Sequence, residues 1–332
     1  MELRATMSAA RTYWHLEGKR RVPSPYELKS SKLLYYPERG FEVKTPGAAW
    51  FERHQRGTPL DLGALAEFRD PRETTYTSYV ALAREKEAFV DGLLRSANES
   101  GYDARLPEEW LTSLERWLGV LLFPCHGLQM VTAYVAHLAP VSEVVIALAF
   151  QNGDEIRRVQ RLAQRVAILQ QTRPSFGARA RDAWQGDAVW QPLRRVIEEL
   201  LVTYDFGEAL VRLLLVVKPL FDSFFVQHAS GLAEARQDPL LCRLLFSLDE
   251  DCRWHGQVGD ELVRRLVEGA APNRALIEGW VRSSYPAMRA ALAALEPLWD
   301  KNSEPYACVL AALDAQAEKR LGSLGLSVKV AT

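Results

Sequence analysis

The sequence predicts an all-α protein, a bundle of long helices preceded by an irregular arm. Three observations carry this. Beyond residue 62, apolar residues recur at three- and four-residue steps. Alternating β-branched runs bounded by Asn-Gly or Asp-Gly turns do not occur. Residues 1–62 hold five prolines (Pro23, Pro25, Pro37, Pro46 and Pro59), each of which lacks an N–H and restricts its predecessor, so long helices are excluded there.

The arm carries 11 basic and 7 acidic residues, against 30 and 35 in the remainder. It also holds eight aromatic residues, which disordered tails usually lack. Such a segment needs a surface to lie on, either the protein's own body or a partner chain. The partner-binding anchors expected are Trp14, Tyr35, Tyr36, Trp50 and Phe51, because aromatic residues dominate interface hot spots.

Past the arm, Asp70 followed by Pro71 reads as an N-cap with proline at the first helical position. From there Tyr76, Tyr79, Val80, Ala83, Phe89, Val90, Leu93 and Leu94 follow helical spacing until Asn98–Gly101. A second helix is expected from Pro107 through Trp110 and Trp117 to Leu121, interrupted at Pro124 and resuming to His137. The longest runs from about Val141 to Thr172. Its faces read as Ile156, Val159, Leu162, Val166 and Leu169 on one side and Arg157, Arg158, Arg161, Gln164 and Arg165 on the other. The basic stripe reads as a solvated face or a contact with an acidic partner. Further helices are expected at Asp187 to Tyr204, Glu208 to His228 with a kink at Pro219, Pro239 to Glu268, Arg274 to Lys301 and Glu304 to Leu321. Glu208 reads as a helix N-terminal carboxylate or as a buried pair with Arg212. The domains expected are the arm 1–62, a helical domain 63–322 and a C-terminal tail 323–332.

Composition removes several function classes. The longest apolar run, Val144 to Phe150, is far short of the ~18–20 residues that span a bilayer, and the N-terminus shows no secretory signal pattern. The 41 basic and 42 acidic residues give no electrostatic case for nucleic acid. Cys125, Cys242, Cys252 and Cys308 are too dispersed for a zinc site and read as reduced thiols of a cytoplasmic protein.

A long-helix bundle of the ferritin-like kind can carry a carboxylate-bridged di-iron site, which needs Glu-x-x-His on two helices plus a glutamate from each of two others. The residues three before the six histidines are Thr12, Phe51, Phe123, Tyr134, Phe225 and Cys252. No Glu-x-x-His exists, and no P-loop, G-x-S-x-G or H-E-x-x-H motif is present.

An ordered set of segments nevertheless resembles the β subunit of the hydroxylase of bacterial multicomponent monooxygenases, in the toluene and alkene (isoprene-type) branch. These are Arg11-Thr-Tyr-Trp-His-Leu16, Pro23-Ser-Pro-Tyr-Glu27, Leu33-Leu-Tyr-Tyr36, Asp70-Pro71 with Tyr76 and Tyr79, and His126-Gly-Leu-Gln-Met130 with Tyr134 and Leu138-Ala-Pro140. Tyr204-Asp-Phe-Gly-Glu-Ala209, Val216-Val-Lys-Pro219 and Ile277-Glu-Gly-Trp280 complete it. The resemblance implies a ferritin-like fold and a non-catalytic structural role in an (αβγ)2 hydroxylase that inserts one oxygen atom of O2 into an aromatic or alkene hydrocarbon. It places the di-iron centre in the α subunit. It implies α, γ and a second β chain as partners, an effector protein, a Rieske [2Fe-2S] ferredoxin and an FAD-containing reductase. It makes Phe123 with His126, Cys252 with His255, and Lys218 degenerate ligand slots, with no metal and no catalytic residue in this chain. The ordinary alternative for His126 and His255 is a hydrogen-bonded core histidine; a Cys252–His255 pair alone does not close a tetrahedral site. Two other readings remain: a free-standing helical di-iron-type enzyme with atypical ligands, and a generic helical scaffold protein.

Overall fold

A computed structural model describes residues 46–299 and 304–330, and it is helical throughout, with no strand among the described residues. The chain divides into two units, Met1–Glu52 and Arg53–Thr332. In the first, the described residues form the short helix α1, Pro46–Phe51, which begins at a proline. Trp50 on it is exposed and Phe51 half-buried. Trp14, Tyr35 and Tyr36 lie outside the described residues.

Residues 53–62 belong to the second unit and not to the arm. Leu60 is buried. The Thr58 hydroxyl donates to Asp205 Oδ1 at 2.9 Å, and Asp61 N–H donates to Asn273 Oδ1 at 2.9 Å. Pro59 breaks any helix here without detaching the segment.

Helix α2, Tyr76–Glu99, starts six residues after Asp70. Thr75 and Ser78 form a reciprocal capping box. Asp70 instead closes a turn, its carboxylate accepting from Arg72 N and Thr74 N at 2.9 Å each, while Glu73 takes φ 50°. A left-handed residue there prevents a helix from propagating out of Pro71. Helix α3, Glu108–Glu115, stops short of Leu121, and a buried turn bearing Trp117, Leu118, Val120 and Leu121 leads into α4, Leu122–Leu138. Pro124 sits in the first turn of α4, where its missing N–H costs nothing, so it opens this helix and does not interrupt one.

Helix α5, Ser142–Thr172, matches the expectation and pairs antiparallel with α4. Two short helices follow, α6, Ala180–Gly186, and α7, Gln191–Leu201. Gly127 on α4 lets α7 lie close, since a Cβ there would overlap the Ile197 side chain. Helix α8 covers residues 206–235. It alternates α turns with π turns at Arg212–Val217 and Ser223–His228. Pro219 follows the first π turn directly, and the helix absorbs it without ending.

Helix α9, Pro239–Gly269, is capped by the buried Asp238. Its carboxylate accepts from Leu241 N, Tyr102 OH and Trp110 Nε1 at 3.0, 2.9 and 2.9 Å. Trp110 and Trp117 are core residues. Helices α10, Ala271–Ala293, and α11, Tyr306–Ser323, complete the body. The segment after α11 packs back on it: Leu324, Leu326 and Val328 are buried, and Ser327 N–H donates to Glu278 Oε1 at 2.8 Å. No helix among the described residues is long and apolar enough to cross a membrane.

Candidate functional site

Four helices, α4, α5, α8 and α9, bring ionisable side chains together inside the bundle. Helix α5 supplies Glu155 and Arg158, one turn apart; α9 supplies Cys252 and His255 with the same spacing; α8 supplies Lys218 and Asp222. All six are buried. The Lys218 ammonium lies 2.5 Å from Glu155 Oε1 and 2.8 Å from Asp222 Oδ2, so it bridges carboxylates of two helices. Arg158 Nη1 lies 2.8 Å from Asp222 Oδ1 and 3.4 Å from Glu155 Oε2, and its Nη2 donates to Cys252 Sγ at 2.8 Å. Cys125, one turn into α4 and buried, feels the charges of Arg158, Glu155, Asp222 and Lys218.

The protonation states follow from burial and these pairs. Burial opposes ionisation of Asp222, but Arg158 and Lys218 overcome it and hold the carboxyl at about 2. Burial and Arg158 disfavour the charge on Lys218; Asp222 and Glu155 outweigh them, and its pKa is raised. Burial, then Lys218, lowers His255 to about 3, so its imidazole is neutral at pH 7. Burial raises both thiols, Cys125 to about 12. The core of the cluster is therefore two cations facing two carboxylates, with neutral thiols and imidazole around them.

His255 is held in one tautomer. Its Nε2–H donates to Asp154 Oδ2 at 3.1 Å, and Asp154 Oδ1 accepts from Tyr79 OH at 3.1 Å. Burial raises Asp154 to about 6. The other ring nitrogen, Nδ1, stands 3.8 Å from Glu155 Oε1 and has no hydrogen-bond partner among the described residues. The Glu155 oxygens likewise meet Lys218 and Arg158 as charges without aligned hydrogen bonds. A cavity of about 190 Å³ reaches Lys218, Asp222, Cys252 and His255 from a mouth at Gln227 and Arg320.

A di-iron centre does not fit these residues. Two fixed cations lie among the carboxylates and would repel a metal, and among the described residues no group of His, Cys, Asp and Glu is arranged to hold one.

The basic stripe of α5 is buried, contrary to the solvated face expected. Arg157 pairs with Glu87 Oε1 at 2.6 Å and Asp251 Oδ2 at 2.7 Å; Arg161 pairs with Glu87 and Asp91; Arg165 pairs with Asp103 at 2.6 Å. Meanwhile Ile156, placed on the apolar face, is exposed. The inward side of α5 faces acidic residues of α2, α9 and the 102–105 turn, so its charges are neutralised there and not by water.

Of the degenerate ligand slots, Cys252, His255 and Lys218 come together. Phe123 and His126 do not join them: His126 is exposed, and Phe123 is half-buried and stacks on Trp184 with centroids 6.0 Å apart. It is Cys125 that turns inward from this part of α4. The pair that meets Cys252 and His255 across the bundle is Glu155 with Arg158. Asp154, Glu155, Arg158 and Asp222 escaped the search for Glu-x-x-His because it started from histidines. A signal existed: Asp154-Glu155-x-x-Arg158 and Asp251-Cys252-x-x-His255 share a leading aspartate and the same i, i+3 spacing. Glu208 pairs with Arg212 at 2.6 Å, both partly exposed in the first turns of α8.

Comparison with known proteins places this geometry. Residues 50–269 match the family model of the methane/phenol/alkene hydroxylases. The chain is 31% identical, over 327 residues covering 96% of both chains, to the hydroxylase component subunit beta of the toluene-4-monooxygenase system of Ectopseudomonas mendocina. It is 26% identical over 263 residues, 76% of this chain and 70% of the relative, to the hydroxylase component small subunit of propane 2-monooxygenase of Mycolicibacterium smegmatis. A chain in a structure of toluene 4-monooxygenase with toluene in the resting active site superposes with TM-score 0.75 at 30% identity, covering 90% of this chain and 96% of that one. A chain of phenol hydroxylase from Pseudomonas sp. OX1 shares the fold, with TM-score 0.77 at 18% identity and coverage of 97% and 95%.

Proposed function

The chain belongs to the methane/phenol/alkene hydroxylase family, and from that premise we propose that it is the non-catalytic β subunit of the hydroxylase component of a multicomponent monooxygenase. Its relatives are beta and small subunits of such hydroxylases, from toluene and propane systems. In this reading the chain lends structure to an enzyme that inserts one atom of O2 into a hydrocarbon, while a larger α chain holds the di-iron centre. The other partners are a γ chain, a second β chain, an effector protein, a Rieske [2Fe-2S] ferredoxin and an FAD reductase. The aromatic-rich arm, with Trp50 and Phe51 in α1, is assigned to subunit contact.

One observation carries the non-catalytic half of the proposal: Arg158 and Lys218 stand among the buried carboxylates. An iron-binding enzyme would need that space for its metals. The same observation weighs against a free-standing di-iron enzyme.

The test is co-expression of the full chain with the large and small hydroxylase chains of its own source. The expected result is a stable complex whose O2-dependent hydroxylation is lost when this chain is omitted and retained when Cys252→Ala is substituted. Hydroxylation by the large chain without this one, or by this chain alone, would overturn the proposal.

A further inference from the structure

The buried centre has kept most of what a metal site needs except the charge balance. His255 donates from Nε2 to Asp154, which leaves Nδ1 deprotonated, bare and turned toward Glu155. This is the tautomer and the supporting carboxylate that metal-ligating histidines use. Glu155 and Asp222 come from two different helices and share one cation between them, as bridging carboxylates share a metal. Cysteine positions on the other two helices, Cys125 and Cys252, face the same point. The cavity from Gln227 and Arg320 gives a small hydrated ion room and a path to it.

We infer that Lys218 and Arg158 are built-in counter-cations that occupy the place of a metal pair, and that charge, not lost geometry, is what closes this chain to metal. The inference rests on the family reading above but is separable from it. The Lys218 ammonium does what a metal would do: it neutralises Glu155 and Asp222 and ties α5 to α8. Arg158 repeats this for Asp222 and reaches Cys252 on α9. A divalent ion entering would meet both positive charges at contact distance, so the site refuses it while its ligand shell remains in place.

The experiment uses the full chain carrying Arg158→His, Lys218→Ala and Cys252→Glu, which removes both cations and completes Glu-x-x-His on α5 and α9. The probe is Co(II). The expected result is about one to two equivalents of Co(II) retained after gel filtration, visible d–d absorption, and a thermal midpoint that rises on adding Co(II); the parent shows none of these. A soluble triple variant that retains no more Co(II) than the parent overturns the inference. Should the triple variant not fold, Lys218→Met and Lys218→Met with Glu155→Gln decide it. The single change is expected to lower the thermal midpoint and the added Glu155→Gln to recover most of that loss. A double variant no more stable than the single one shows that Lys218 is not a counter-cation. Failure of either kind with assembly intact leaves the subunit assignment standing.

Discussion

Helices α2 and α7 are fastened to the body in opposite ways. The 11-residue α7 buries Leu193, Val196, Ile197 and Leu200 along one apolar stripe. The 24-residue α2 buries only Val90 and Leu94, and leaves Tyr76, Val80, Leu82 and Phe89 exposed. What holds α2 is polar: Lys86 to Asp251, Glu87 to Arg157 and Arg161, Asp91 to Arg161, and Tyr79 to Asp154. The apolar stripe is worth ~1.5–3 kcal/mol for each fully buried side chain and tolerates small shifts. The ionic seam contributes little net energy against an apolar equivalent, yet losing one partner leaves a buried charge stranded, at ~3–5 kcal/mol. One attachment is additive and forgiving; the other is all-or-none and fixes register.

The largest effect should therefore come from the seam. Arg157→Ala strands Asp251 and uncovers Glu87, and chemical denaturation should show a loss of ~3–5 kcal/mol. Replacing Asp251 by Leu in the same chain should recover much of it. If Arg157→Ala costs under ~1 kcal/mol, α2 is held by something other than its ion pairs.

Ile197→Ala on α7 comes next, at ~2–4 kcal/mol, with no rescue from any charge change. Strong coupling between Ile197→Ala and Arg157→Ala in a double-mutant cycle would show that the two attachments are not independent.

The pH response of the seam's inner end is a smaller and more specific test. Asp154, raised by burial from 3.8 to about 6, binds a proton in the native state before the unfolded chain does, so its contribution to stability falls as pH rises through that interval. His255, lowered by burial and Lys218 from 6.5 to about 3, stays neutral while the unfolded histidine takes a proton, so its contribution falls as pH drops through that interval. Between about pH 4 and 6 the two slopes oppose each other. Asp154→Asn removes the first and exposes the second. The variant should lose up to ~1.4 kcal/mol per pH unit, relative to the parent, on acidification across this window. Parallel pH profiles for variant and parent would deny the linkage. The least effect belongs to Asp91→Ala, whose carboxylate is half exposed; a loss below ~1 kcal/mol, shrinking in high salt, is expected.

The same contrast explains what could be read from the sequence. The long helices α5 and α9 showed themselves through periodicity and proline–glycine punctuation. Helix starts went astray where a side chain did something periodicity does not report, as when Asp70 closed a turn and Thr75 with Ser78 capped the helix. The arginines of α5 were misread because a buried, paired guanidinium and a hydrated one are the same letter; only the positions of Glu87, Asp91, Asp103, Asp222 and Asp251 in space distinguish them. His255, Cys252 and Lys218 were found by resemblance. Glu155 and Arg158 were missed because a motif search anchored on histidine cannot see a pair whose histidine has become arginine.

The π turns of α8 carry a consequence for insertions and deletions. A π turn holds one residue more than the α turn it replaces. Removing a single residue within Arg212–Val217 would restore a regular helix, improve its backbone regularity, and still turn everything after it by about 100°. Lys218 and Asp222 would swing off the shared axis together, and Phe221, Phe224 and Phe225 with them. The reading frame of side-chain direction along α8 is thus set by an irregularity upstream of the residues that depend on it. Natural length variation in this helix should accordingly gather after residue 228, beyond both π turns, where a shift in phase no longer reaches the centre.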